Sequence, residues 1–165
     1  MDTRLVPIPV TRELNPADGE AIIDLFESLS PEDRFYRFFR AMPFYPPALL
    51  ELLTAVDGVD HLAVGAFKGD ACIGVARCIR YAQRPTVAEL AVTVSPDHRG
   101  RGLAGRLITE VELLAAGNGI ETIEIDVHAD NRAAARLFRG LGFALVFESG
   151  SLIGTRTPAE FALAA

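Results

Sequence analysis

The chain has 165 residues, the size of one domain, and half of them are hydrophobic, so it can bury a core and is not a disordered tail. Its net charge of −6 argues against a protein that depends on nucleic-acid phosphates for its affinity. No apolar run reaches the roughly 20 residues of a membrane-spanning helix, and the N-terminal residues lack a signal-peptide pattern. We therefore expect a globular protein with neither a nucleic acid nor a membrane as its partner.

The first third of the chain predicts mostly helices. Two prolines restrict residues 3–10 to an edge strand, because proline cannot donate to the hydrogen-bond ladder of a central strand. Asn15-Pro16 and Ser30-Pro31 each predict a helix start, with a capping side chain followed by proline at the first helical position. A further helical turn or two is expected over residues 48–56.

After residue 58 the pattern favours strands, with helices between the later ones. Strands are predicted over residues 61–67, 71–82, 86–94, 120–127 and 143–148, with helices over 103–116 and from Asp130 to about Gly140. The tail from residue 150 is weakly patterned, and the sequence does not decide whether it forms one more strand. No repeat or linker divides the chain, so we expect one α/β domain over residues 1–165 with its core in residues 3–149.

One segment, Val92–Gly105, places glycines and arginines where a predicted strand ends, the loop Ser95–Gly102 turns and a predicted helix starts. Glycines let the backbone come close to a ligand, and the first amides of a helix have no partners within it. Together with the positive end of the helix dipole, those amides form an anion site that suits a pyrophosphate. Arg99, Arg101 and Arg106 add positive charge to this loop.

Two other nucleotide-binding motifs do not fit this loop. A nucleoside triphosphatase P-loop is excluded, because no Gly-x-x-x-x-Gly-Lys-Ser/Thr sequence is present. Gly100, Gly102 and Gly105 do match the spacing of the dinucleotide-binding fingerprint. That fingerprint needs its turn directly after the strand, and too little chain follows for a full dinucleotide fold, so we disfavour this interpretation.

The loop and a downstream segment resemble two motifs of the GNAT superfamily of N-acetyltransferases. Arg99-x-x-Gly102-x-Ala104 is similar to the acyl-coenzyme A pyrophosphate loop, Gln/Arg-x-x-Gly-x-Gly/Ala. Asn131-x-x-Ala134-x-x-Leu137-Phe138-x-x-x-Gly142-Phe143 resembles the second motif, whose Asn usually lies near pantetheine. The resemblance extends over about residues 3–149. It implies a mixed, mostly antiparallel sheet with helices on both faces and two splayed central strands.

A third segment narrows the resemblance within the superfamily. Residues 29–39, LSPEDRFYRFF, are similar to the N-terminal helix of bacterial protein-lysine acetyltransferases, whose domain is often fused to a regulatory or synthetase module. The resemblance implies acetyl transfer from acetyl-coenzyme A to a primary amine, above all a protein lysine. A small-molecule amine (polyamine, amino acid or aminoglycoside) and a non-catalytic acyl-coenzyme A sensor stay open as alternatives.

The resemblance also implies where acetyl-coenzyme A, the acyl donor, binds. It implies no metal ion in the reaction. The backbone of Val92, Thr93 and Val94 is expected to pair with pantetheine, whose two amides need partners such as an open strand edge supplies. Asn131 is expected near the pantetheine as well. In and just after the loop, the residues expected to contact acetyl-coenzyme A are Arg99, Gly100, Arg101, Gly102, Leu103, Ala104 and Gly105.

Glu89 is the candidate general base for direct attack by the amine. It lies in a strand of apolar residues and threonine, where a half-buried carboxylate would be suited to proton abstraction. It also stands ten residues before Arg99, similar to the general base of the protein-lysine branch. The alternative is a solvated face, or an ion pair with Arg77 or Arg80 on the neighbouring strand.

The proton donor for the leaving thiolate is not evident in the sequence. The superfamily often has a Tyr in its second motif, but Phe138 stands there and cannot donate a proton. Three tyrosines could substitute for it: Tyr36, Tyr45 and Tyr81.

The histidines and cysteines favour structural roles. We expect His98 to contact solvent or phosphate, and His128 to be a structural residue at a strand end. Cys72 and Cys78 lie about 20 Å apart along one predicted strand, beyond disulfide reach, which is typical of reduced core residues in a cytoplasmic protein. A homodimer stays open, because dimers are common in the superfamily but no segment marks an interface.

Overall fold

The structure is a computed structural model that describes residues 8–158. Its helices are α1 (Gly19–Glu27), α2 (Pro31–Phe38), α3 (Pro47–Thr54), α4 (Leu103–Gly117) and α5 (Arg132–Gly140), with short 3₁₀ turns at Pro16–Asp18 and Pro96–His98. Its strands are β1 (Val10–Glu13), β2 (His61–Lys68), β3 (Ala71–Tyr81), β4 (Arg84–Val94), β5 (Thr122–His128), β6 (Ala144–Glu148) and β7 (Ser151–Arg156).

The seven strands form one sheet in the order β1-β2-β3-β4-β5-β7-β6. Every neighbouring pair is antiparallel except β4 and β5, which run parallel. Alternate residues of β2 and β3 point to opposite faces, and each face has its own buried cluster. α4 and α5 cover one face and α1 to α3 the other, which confirms the predicted mixed sheet with helices on both faces.

The two parallel strands separate part-way along their length. β4 pairs with β5 only through Val87, Ala88 and Glu89, whereas its pairing with β3 continues to Val94. From Ile125 onwards β5 pairs only with β7. The backbone of β4 beyond Glu89 therefore has an open edge, and a wedge-shaped gap lies between the two strands.

The strands near the two ends of the chain differ from their prediction. β1 begins at Val10, because Pro9 cannot donate a ladder hydrogen bond, and residues 3–7 of the predicted strand lie outside the described residues. Near the C-terminus, the weakly patterned tail supplies β7, which lies inside the sheet between β5 and β6. The sheet therefore extends to Arg156, beyond the core boundary expected at residue 149.

The cap of α5 also differs by one residue. Asn131, and not Asp130, accepts a bond from the backbone N–H of Ala134 at 3.1 Å. The carboxamide predicted to lie near pantetheine therefore also holds the start of α5. The helix predicted from Pro16 begins as a 3₁₀ turn, and α1 itself starts at Gly19. The other helices and the inner strands lie within two residues of their predicted bounds.

A buried cation joins α3 to the sheet. Arg77 is only 2% exposed, donates to the Leu53 carbonyl at 2.8 Å and lies 3.0 Å from Nε2 of His61. Burial and the positive charge of Arg77 lower the pKa of His61 to about 4. His61 is therefore neutral in the folded protein near pH 7.

This arrangement predicts that the protein loses stability as the pH falls from about 6.5 to about 4. As the pH falls, His61 takes up a proton in the unfolded chain before it does so in the folded chain, and this favours unfolding. His61 therefore leaves the free energy of unfolding unchanged above pH 6.5 and lowers it by up to about 3 kcal/mol below pH 4. Urea denaturation across this range should show a steeper loss for the parent protein than for His61→Gln, which cannot titrate. Parallel pH profiles for the two proteins would contradict this prediction.

Candidate active site

A cavity of about 1060 Å³ opens where β4 and β5 separate. The loop before α4 lies along its wall, and residues of α2 and α5 complete it. It brings together nearly all of the predicted site residues: Glu89, Val92, Thr93, Val94, Arg99, Gly100, Gly102, Leu103, Ala104, Gly105 and Asn131. Arg101 is not among its lining residues and lies instead on a second, smaller cavity.

The loop presents helix amides to this cavity. Gly100 and Gly102 have φ of 73° and 77°, in the left-handed region that favours glycine. The first backbone bond of α4 runs from the N–H of Arg106 to the Gly102 carbonyl at 3.2 Å. The N–H groups of the three residues between them have no acceptor within the helix, so they can receive an anion at the positive end of its dipole.

Arg99 joins this loop to the start of α2. Its Nε donates to the Val94 carbonyl at 3.0 Å, and its guanidinium forms an ion pair with Asp33 at 2.9 Å. Burial acts to raise the pKa of Asp33, but the bonds from Arg99 and Ser30 hold that pKa below its usual value. A phosphate bound at this loop would therefore share Arg99 with a carboxylate of α2.

Glu89 lies at the apex of the gap, because Glu89 and Glu124 are the last paired residues of β4 and β5. Its neighbours Ala88 and Leu90 face the core, so its side chain points to the cavity and is exposed rather than half-buried as predicted. The expected half-burial of this carboxylate is therefore wrong. The hydroxyl of Tyr81 donates to Glu89 at 3.4 Å.

The two arginines suggested as ion-pair partners of Glu89 are occupied elsewhere. Arg77 donates to α3, and Arg80 pairs with Asp60 at 2.8 Å. A third arginine, Arg37, lines the cavity, and its Nε is buried with no hydrogen-bond partner among the described residues. Burial lowers the pKa of Arg37, and the charge of Glu89 opposes that shift, so the carboxylate lies within the field of a half-buried cation.

Side chains of both signs line the cavity. Glu32, Asp126 and Asp130 lie with Glu89 on or next to α2, β4 and β5, and we call these four carboxylates the acidic wall. Burial, together with the carboxylates of Glu32 and Asp130, raises the pKa of Tyr36 there. Arg99, Arg132 and Arg136 also line the cavity, as does Arg37 on α2. Sequence reasoning missed Glu32, Arg132 and Arg136, because surface charges at ordinary helix positions carry no local signal of a site.

Aromatic side chains border the acidic wall. The ring of His128 lies 5.2 Å from Phe35, 5.5 Å from Tyr36 and 5.8 Å from Phe39, between ring centroids. Its Nδ1 accepts the backbone N–H of Asp130 at 3.1 Å. His128 thus holds α2 against the end of β5, which is the structural role predicted for it.

Several residues considered for chemistry have structural surroundings instead. Tyr45 is buried and donates to the Phe26 carbonyl at 2.6 Å, and Phe138 packs edge-on against Phe143. Cys72 and Cys78 are free and buried, and burial raises the pKa of both thiols, that of Cys72 to about 11.

Within residues 8–158 no group of three His, Cys, Asp or Glu side chains could hold a metal ion. No helix in the same part of the chain is long and apolar enough to span a membrane.

Most of the chain matches one known protein family. Residues 22–143 match the model of the acetyltransferase (GNAT) family. The chain belongs to the GNAT acetyltransferase family. This result confirms the predicted superfamily and fold.

Relatives of this GNAT chain are acetyltransferases, and the name of one of those described here includes its acceptor. Acetyltransferase Pat of Mycolicibacterium smegmatis is 30% identical over 162 residues, which make up 92% of this chain and 48% of Pat. The chain thus spans about half the length of that relative. An L-2,4-diaminobutyric acid acetyltransferase of Methylotuvimicrobium alcaliphilum is 34% identical, covering 67% of this chain and 65% of the enzyme. Among solved structures, the GNAT domain of S. lividans PAT is 26% identical with a TM-score of 0.83, covering 90% of each chain.

Proposed function

We propose that this GNAT domain transfers an acetyl group from acetyl-coenzyme A to a protein lysine, with Glu89 as the general base. The position of Glu89 carries the proposal. This carboxylate lies where β4 and β5 part, beside the open edge of β4 and inside the cavity that the loop borders. A base must lie within hydrogen-bond reach of the proton that it removes, and the apex of the gap offers that reach to an amine approaching the open edge.

The donor fits the rest of the cavity. The pantetheine amides would pair with the open backbone of Val92–Val94, as an added strand does. The pyrophosphate would lie at the N-terminal amides of α4 beside Arg99. This placement directs the thioester carbonyl towards Glu89 and leaves the acidic wall for the acceptor.

The proposed reaction removes two protons from the acceptor nitrogen. Glu89 takes the first from the lysine ammonium, and the neutral nitrogen then forms a bond to the acetyl carbon. As the carbon–sulfur bond breaks, the second nitrogen proton passes to the released thiolate, which leaves the amide and the free thiol. A thiol of ordinary pKa near ~8.5 leaves with little assistance, so the step tolerates Phe138 at the usual place of a proton-donating Tyr. Tyr36 is the tyrosine on the cavity wall that could still donate.

The acidic wall favours a cationic acceptor. Glu32, Asp126 and Asp130 would attract an ammonium group, and the aromatic rings around His128 offer apolar contact to the methylenes of a lysine side chain. The name of the diaminobutyric acid acetyltransferase makes a small amine the second candidate.

The direct test is coenzyme A thiol release from acetyl-coenzyme A in the presence of lysine peptides, polyamines, amino acids and aminoglycosides. We expect release that depends on the lysine peptides. Thiol release with small amines alone would contradict the proposed lysine acceptor and would support a small amine as the acceptor. Binding of acetyl-coenzyme A, seen as a raised melting temperature, without release for any acceptor would favour the sensor.

Gly102→Ala should weaken donor binding while leaving the fold intact. A side chain in the left-handed conformation costs about 1–2 kcal/mol, so the loop would shift and its amides would no longer converge. We expect the dissociation constant of acetyl-coenzyme A to rise by about 10-fold in calorimetry. Gly117→Ala in the last turn of the same helix is the matched control, since a Cβ there meets nothing within 4 Å and its φ is ordinary. Equal affinities for the two variants would count against the loop as the pyrophosphate site.

A further inference from the structure

A second cavity, of about 240 Å³, lies on the side of the loop that faces the β2–β3 hairpin. Four basic side chains line it: Lys68 at the end of β2, His98 and Arg101 in the loop, and Arg106 in the first turn of α4. No carboxylate is among its lining residues within the described part of the chain. In a chain with a net charge of −6, one lysine and two arginines around one cavity mark a local positive potential.

Two of the four basic groups are held in place. Arg106 forms an ion pair with Glu110 at 3.0 Å and donates to the Thr11 hydroxyl at 2.8 Å. The Nδ1 of His98 lies 2.6 Å from the Ser95 hydroxyl, so its Nε2 is left for another contact. The site is therefore partly organised before any ligand binds.

The other two basic groups have no charged partner of their own. Neither Lys68 nor Arg101 takes part in an ion pair within residues 8–158. Arg101 points away from the main cavity, although its neighbour Arg99 lines that cavity. Its charge is therefore directed to the second cavity and not to the pyrophosphate expected in the first.

We propose that the second cavity binds a phosphate monoester. A compact dianion with several acceptor oxygens matches the fork of an arginine and the point charge of a lysine. The buried side chains of Ile73 and Leu103 line the same cavity and would contact an apolar part of the molecule. This proposal does not depend on the acetyl acceptor or on the role of Glu89.

The two cavities share part of the loop, since His98, Gly102 and Leu103 line both. The phosphate could accordingly have two sources. It could be the 3′-phosphate of coenzyme A bound in the main cavity, or it could belong to a separate molecule that contacts the loop from its other side. The experiment below distinguishes them.

Lys68 is the only lysine, so it provides a reporter inside the proposed site. Protein labelled with ¹³C-lysine gives one side-chain Cε signal, which can be followed by NMR during titration with inorganic phosphate at constant ionic strength. We expect a saturable shift whose dissociation constant rises at least ~10-fold in Arg101→Met. Arg139→Met is the matched control, because Arg139 is exposed on α5 and lines neither cavity.

The wild-type titration alone can overturn the proposal. A Lys68 signal that does not saturate, or that shifts equally with chloride, would show screening and no site. Equal dissociation constants for the parent protein and Arg101→Met would also overturn it. If phosphate still shifts Lys68 when coenzyme A is saturating, the ligand is a separate molecule. The 3′-phosphate of coenzyme A occupies the cavity if three results are found together. Coenzyme A shifts the Lys68 signal, dephospho-coenzyme A does not shift it, and saturating coenzyme A prevents the shift caused by inorganic phosphate.

Discussion

Glu89→Gln should lower turnover with the preferred acceptor at least ~100-fold, which is the usual contribution of a positioned general base. The amide keeps the shape of the carboxylate but cannot accept the proton of the ammonium. The affinity for acetyl-coenzyme A should not change, because the open edge of β4 and the loop before α4 would hold the donor. Steady-state thiol release and calorimetry measure the two quantities separately.

Two variants control for effects that are not catalytic. Glu148→Gln removes the same charge at an exposed position of β6 that does not line the cavity, so it should keep full turnover. Tyr81→Phe removes the 3.4 Å bond to Glu89 and should change turnover only a few-fold. Turnover of Glu89→Gln equal to that of these controls would show that another group removes the proton.

Arg156→Met should destabilise the protein by about 3–5 kcal/mol, the usual cost of leaving one member of a buried ion pair without its partner. Glu112 of α4 is fully buried and accepts two bonds from Arg156 of β7, one of them at 2.9 Å. Arg156 also donates to the Leu141 carbonyl and lies 4.8 Å over the ring of Phe143. Urea denaturation of the parent protein and the variant measures the difference in the free energy of unfolding.

The double variant Glu112→Gln/Arg156→Met distinguishes the ion pair from simple packing. Once the buried charge is removed, loss of its partner costs less, so the double variant should be more stable than Arg156→Met alone. A double variant that is less stable than Arg156→Met by the full cost of Glu112→Gln would show that the two residues do not act as a pair.

The geometry of the candidate donor site at the loop could be predicted from the sequence because its determinants are local. Gly100 and Gly102 allow left-handed backbone, and the helix that follows them must leave its first amides free. Strand, loop and helix are consecutive there, so no distant segment is needed to form an anion site. The pattern of apolar residues was enough to predict the helices and the inner strands.

The surroundings of Glu89 and Arg101 depended on more than their local sequence. A strand of apolar residues predicts a half-buried Glu89, but the exposure of its side chain follows from the separation of β4 and β5, which belongs to the two strands together. Arg99 and Arg101 are two residues apart in an irregular loop with two left-handed glycines, where no periodicity predicts which side each faces.

The sequence by itself determined the family, the order of the elements and the loop, because a glycine turn followed by a helix start has the same geometry wherever it occurs. Only the tertiary structure decided that β7 lies within the sheet. Its weak pattern is that of a half-covered strand, and it is held by pairing with β5 and β6 and by the bonds from Arg156 to Glu112 of α4. Contacts between segments so far apart in the chain leave no periodic signal, since each segment needs the others in place before its burial is defined.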